Sequence, residues 1–74
     1  MTEALVMWVI YNSPLDFPGL YVARKWEIHP GNPVATTEYI NATSLDILRS
    51  QLPHGLMRML RNEGDGPRIV EIWL

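Results

Sequence analysis

The run Leu5-Val6-Met7-Trp8-Val9-Ile10-Tyr11 has no charged or strongly polar residue and is rich in β-branched and aromatic side chains. It stops at Asn12-Ser13-Pro14, so it predicts a strand ending in a turn. Successive strand residues point to opposite faces, which puts Val6, Trp8 and Ile10 on one side and Leu5, Met7, Val9 and Tyr11 on the other. A strand apolar on both sides fits the middle of a sheet covered on both faces, or the contact between two copies of a chain.

The rest must be arranged around that strand within 74 residues. A chain of this length buries only about 60% of the surface its unfolded form exposes, so a single domain over residues 1–74 needs nearly all its apolar content for a core. Met7 offers a second start, and residues 1–6 are then an extension the fold can dispense with. Cysteine is absent, which removes a disulfide framework and leaves the cytoplasm as the expected setting. The first residues lack the basic start and cleavage site of a signal peptide, and their apolar run is too short to span a bilayer. Asn41-Ala42-Thr43 fits a glycosylation acceptor, but without a secretory signal it reads as a chance match.

Ser13-Pro14-Leu15-Asp16-Phe17-Pro18-Gly19 is dense in turn formers and predicts a loop joining two antiparallel strands, with Phe17 folded back over the core. Leu20 to His29 alternates, with Leu20, Val22, Trp26 and Ile28 on one face and Tyr21, Ala23, Lys25, Glu27 and His29 on the other. Arg24 interrupts the apolar face, and its stem is expected to lie along the sheet with the guanidinium in water. His29-Pro30-Gly31-Asn32-Pro33 predicts a strong stop followed by a flexible loop, and Thr36 to Ile40 a short edge strand.

Thr43 and Asp46 stand three apart and are expected to cap a helix carrying Leu45, Leu48 and Leu52, of about three turns, closed by Pro53 and Gly55. Gly55 to Arg61 fits either period; its proline and glycine flank favour an extended segment with Leu56, Arg58 and Leu60 against Met57, Met59 and Arg61. Asn62 to Pro67 reads as a polar hairpin loop, and Ile69-Val70-Glu71-Ile72-Trp73-Leu74 as a final strand docked in the sheet. The fold class is therefore α+β: a small, mostly antiparallel sheet of three to five strands with one helix packed on one face. A parallel relation between the strand before the helix and the last strand would require a right-handed crossover. The expected core is Trp8, Val22, Trp26, Ile28, Leu45, Leu48, Leu52, Val70 and Ile72.

Six Lys and Arg against eight Asp and Glu give a net charge of −2, so no overall field draws the chain to nucleic acid. A nucleic-acid reading rests instead on a local set, Arg24, Lys25, Trp26, Arg58 and Arg61, supported by Arg49 and Arg68, with stacking on Trp26 or Tyr21. Glu27 and His29 leave the same face of one strand and are the best pair for proton transfer or metal binding. They lack a third ligand at a recognisable spacing, and His54 lies in a distant Pro-His-Gly turn. Glu63-Gly64-Asp65-Gly66-Pro67 lacks the lysine of a phosphate loop and the spacing of a calcium loop. No catalytic residue, cofactor or metal is expected. Trp8, Trp26 and Trp73 fall on three strands, as core or interface anchors.

Met7-Trp8-Val9-Ile10-Tyr11, Asp16-Phe17-Pro18, Val22-Ala23-Arg24-Lys25-Trp26, Ser44-Leu45-Asp46, Leu52-Pro53-His54-Gly55-Leu56 and Ile69 to Leu74 together resemble a group of short bacterial and phage or prophage proteins of uncharacterised function. The resemblance implies a bacterial or phage intracellular setting and an accessory role exercised by binding, and carries no catalytic residue with it. The expectation is a non-enzymatic interaction domain whose partner is another protein or a second copy of itself, through a surface around Arg24, Lys25, Trp26, Arg58 and Arg61. Nucleic-acid binding through those residues, and a small enzyme or metal site at Glu27 and His29, are the alternatives.

Overall fold

The computed structural model describes residues 5–60 and 68–74. The elements are β1 (Leu5–Asn12), β2 (Tyr21–His29), β3 (Asn32–Ala42), α1 (Leu45–Ser50), β4 (Arg58–Leu60) and β5 (Ile69–Trp73). They form one five-stranded sheet of order β3-β2-β1-β5-β4 with every neighbouring pair antiparallel, and one helix, the α+β class that the sequence predicts. The strand with two apolar faces, β1, takes the central position. It pairs with β2 from Leu5↔Ile28 to Asn12↔Tyr21 and with β5 from Trp8↔Trp73 to Tyr11↔Ile69. None of the helices among the described residues is long and apolar enough to cross a membrane.

The loop expected after His29 is instead a tight hairpin. Pro30 and Gly31 make the turn, Gly31 at φ +99, and β3 starts at Asn32 opposite His29. Proline at the first central position and a positive-φ glycine at the second are the requirements of a type II turn. Pro33 does not end the pairing because β3 is an edge strand, where a missing amide on the outer side costs no ladder bond. β3 therefore runs for 11 residues, well beyond the predicted Thr36–Ile40.

Its pairing shifts between Arg24↔Tyr39 and Trp26↔Ala35, leaving Thr36, Thr37 and Glu38 opposite Lys25. The Thr36 hydroxyl fills this bulge, donating to the Lys25 carbonyl at 2.8 Å and accepting from the Glu38 amide at 3.1 Å. A bulge of this kind interrupts the row of free amides and carbonyls on an exposed edge.

The helix cap is Ser44, not Thr43. Its backbone is extended (φ −133, ψ 153) and its Oγ accepts the Ile47 N–H at 3.2 Å, while Asp46 sits in the first turn. The helix spans six residues, under two turns rather than about three. Leu52 precedes Pro53, and the proline ring disfavours helical backbone at the residue before it.

The segment holding α1 connects the two opposite edges, β3 and β4, and so crosses one face of the sheet. That face is the principal core: Trp8, Ile10, Ala23 and Ala42 from the strands close on Leu48 and Leu52, with Val6, Tyr21, Leu45, Val70 and Trp73 packed around them. The predicted core members Trp26, Ile28 and Ile72 lie on the other face and are only half-buried. β3 and β5 run in opposite directions, so the parallel crossover does not arise.

Candidate interaction surface

The face away from α1 is built by the alternate set of residues. One rung crosses all five strands as Tyr39, Arg24, Val9, Ile72 and Met59. The next carries Ala35, Trp26 and Met7, and a third Pro33, Ile28 and Leu5. On the β5 side, Met57 and Leu74 extend this face, tied by reciprocal backbone hydrogen bonds of 2.7 and 3.0 Å. Among the described residues of these rungs the only charged side chain is Arg24.

The loop between β1 and β2 covers one end of this face. The Ser13 N–H donates to the Leu20 carbonyl at 2.8 Å, and the Ser13 Oγ accepts the Gly19 N–H at 3.0 Å. Arg68 donates to the Ser13 carbonyl. The fold-back lays the Phe17 ring 5.0 Å from that of Tyr39, on the helix-free side. Arg24 does not extend freely into water: its Nη2 donates to Asp16 Oδ2 at 3.2 Å, and its guanidinium carbon lies 6.0 Å above the Tyr39 ring. Val22 is buried at this covered end, and Val9 in the adjoining rung.

Beyond the loop the face is open. Leu5, Met57, Met59 and Leu74 are all exposed there, Met57 to 73%, and Tyr39 at the edge of the loop stays partly open beside Phe17. Trp26 is half-buried in the middle, and its indole N–H is shielded without a hydrogen-bond partner. Isolated exposed apolar residues are ordinary on a protein surface; a contiguous set that includes Trp, Tyr and Met is what contact surfaces use.

The charges of the sheet gather on the helix side. Lys25 pairs with Glu38 at 3.2 Å. Glu71, 3% exposed, lies under α1 and accepts two hydrogen bonds from Arg49, both 2.8 Å, and one from the Trp73 indole at 3.0 Å. Arg58 stands 3.9 Å from the same carboxylate, and Asp46 3.7 Å from the Arg49 guanidinium. The Arg49 hydrogen bonds, opposed by burial, hold the Glu71 carboxyl below the usual carboxylate range and raise Arg49 above its own. Arg49 therefore fastens the helix to β5.

The set singled out in the sequence is divided by this geometry. Arg24 and Trp26 share the helix-free face; Lys25 and Arg58 are on the other. Arg68 is at the start of β5, while Arg58 pairs opposite Trp73 near its end, about 17 Å away along the strand. Arg61 lies outside the described residues, as do the whole of the expected polar loop, Asn62 to Pro67, and residues 1–4. Glu27 and His29 do meet, with 3.5 Å between Oε1 and Nε2, on an exposed stretch of β2. Among the described residues no group of three His, Asp or Glu side chains converges as a metal site would need. The residues missed by the sequence reading as part of a surface are Met57, Met59 and Leu74. Their signal was the alternation of Met57 and Met59 against Arg58. A comparison with protein-family models, curated proteins and solved structures finds no match for this chain.

Proposed function

We propose that this chain is a non-enzymatic interaction domain whose contact surface is the helix-free face of its sheet. One observation carries the reading: successive rungs of a five-stranded sheet present Leu5, Met7, Trp26, Ile28, Met57 and Met59, with Arg24 the sole charge among the described residues of those rungs and that charge paired with Asp16. Elsewhere among the described residues Lys25, Arg49 and Arg58 stand against carboxylates, which favours a protein contact over a polyanion. The setting is the cytoplasm of a bacterium or of a phage-infected cell, as the resemblance implies.

Photocrosslinking tests this surface. Met59 and Ile47 are equally exposed, at 48%, on opposite sides of the molecule. A benzophenone side chain at position 59 is expected to form an adduct with a protein in cells, and one at position 47 is not. Equal adduct yields at the two positions, or none at 59, would remove the surface from the account.

A further inference from the structure

The geometry points to a small-molecule site in the cavity at the loop-covered end of the helix-free face, one that takes a neutral, ring-sized ligand with an amide edge. The site lies apart from the open surface proposed above and does not depend on what that surface contacts.

Three observations meet at this place. The first is the space itself. Tyr11 of β1, Val22 and Arg24 of β2, and Pro14 and Asp16 of the loop between them line a half-open cavity of about 120 Å³. A closed apolar cavity of about 150 Å³ takes a benzene molecule, so this one admits a six-membered ring with its substituent toward solvent. Tyr11, Pro14 and Val22 supply apolar wall, with buried Val22 as the floor, and Arg24 and Asp16 are the charged groups of the lining.

The second is the state of Arg24, the residue that interrupts the apolar face. Its side chain is only 29% exposed. A guanidinium carries several N–H donors, and among the described residues Arg24 uses one, toward Asp16 Oδ2 at 3.2 Å. The pair therefore offers spare donors and spare acceptor lone pairs side by side. An amide matches both, its carbonyl accepting from Arg24 and its N–H donating to Asp16. A carboxylate would have to displace Asp16 and an ammonium to displace Arg24, each leaving a charge without its partner. A neutral amide joins the pair without opening it.

The third is how the loop wall is held. Ser13 has φ 53, the left-handed region that residues with a side chain rarely adopt. Its N–H donates to the Leu20 carbonyl, its Oγ accepts the Gly19 N–H, and its carbonyl accepts from Arg68. The Phe17 N–H donates to the Pro14 carbonyl at 3.0 Å, closing the turn that carries Asp16, and the Phe17 ring rests on Tyr39. Backbone strain held by surrounding bonds in this way fixes a wall in one position. A wall set before the ligand arrives lowers the ordering cost of binding.

Benzamide, benzoate and benzylamine share one ring and differ in charge, and titrating each into the isotope-labelled full chain under NMR observation tests the site. Benzamide is expected to shift the signals of Tyr11, Asp16, Val22 and Arg24 with a dissociation constant on the order of 1 mM, and the two charged analogues to bind at least about 10-fold more weakly. The Leu48 and Leu52 methyl signals, from the other side of the sheet, are expected to hold their positions. Asp16→Asn, at a side chain 57% exposed, keeps the Arg24 charge and removes the one opposing it, so benzoate is expected to overtake benzamide in that variant. Charged analogues that match benzamide on the wild type, or an unchanged order in Asp16→Asn, would overturn the ligand class. No shift at these four residues up to about 20 mM benzamide, or shifts centred elsewhere, would remove the site, whatever the crosslinking at position 59 gives.

Discussion

Arg49→Ala is expected to lower the unfolding free energy by about 3 kcal/mol, a large part of what a domain this small possesses. The variant strands the Glu71 carboxylate, 3% exposed, with only the Trp73 indole at 3.0 Å and the more distant Arg58 to meet it. Arg49 itself is 30% exposed, which places the loss at the lower end of the range for broken buried pairs. Replacing both partners with Met is expected to cost far less, since neither charge then needs a partner. The pair also sets a pH dependence. Glu71 titrates below the usual carboxylate value of 4.5 in the folded chain, so its contribution is fully present above that value and is lost as pH falls through the folded one. Urea unfolding at pH 7 and in the acid range measures both effects: the wild type loses stability on acidification, and Arg49→Ala lacks that decline. Parallel pH profiles for the two proteins would show that the ion pair does not act this way.

Leu48→Ala is expected to cost about 3 kcal/mol as well, for a different reason. Leu48 is 0% exposed and sits at the centre of the cluster formed by Trp8, Ile10, Ala23, Ala42 and Leu52. A helix of six residues has no stability of its own, so α1 exists because its buried side packs on the sheet. The truncation leaves a cavity and weakens the element that closes the core. Ile47→Ala, one residue earlier and 48% exposed, is expected to change stability by less than about 0.5 kcal/mol. Equal losses for the two variants in chemical denaturation would mean that α1 does not pack as described.

The fold was legible in the sequence where a local pattern has a single physical meaning. The two apolar faces of Leu5 to Tyr11 fit a central strand or a contact between two copies, and the sheet order puts it at the centre, beside the strand that the alternation of Leu20 to His29 predicts. Pro30-Gly31 reads locally as a stop followed by a loop, yet the same two residues turn the strand back into a hairpin. What decided was the edge position of β3, where Pro33 is tolerated, and edge position depends on the whole sheet. Ser44 and Thr43 are both good caps, and the choice follows from where β3 releases the chain. The interaction surface was legible only in part. Arg24, Lys25 and Trp26 are contiguous in sequence, yet strand alternation sends the middle one to the opposite face. The Glu71 pairing spans 22 residues, and no local pattern marks Arg49 as its partner. Met57 and Met59 become part of a surface only when β4 pairs with β5.

The central claim, that the helix-free face is the contact surface, is tested most directly by the methionine methyl groups. Met7, Met57 and Met59 all lie on that face, whereas Leu48 and Leu52 report from the opposite side. In methyl NMR spectra of the labelled chain recorded over a range of added bacterial lysate protein, the three methionine signals are expected to shift and lose intensity first while the two leucines hold their positions. Methionine signals that stay fixed over the whole range, or changes confined to the leucine side, would contradict the account.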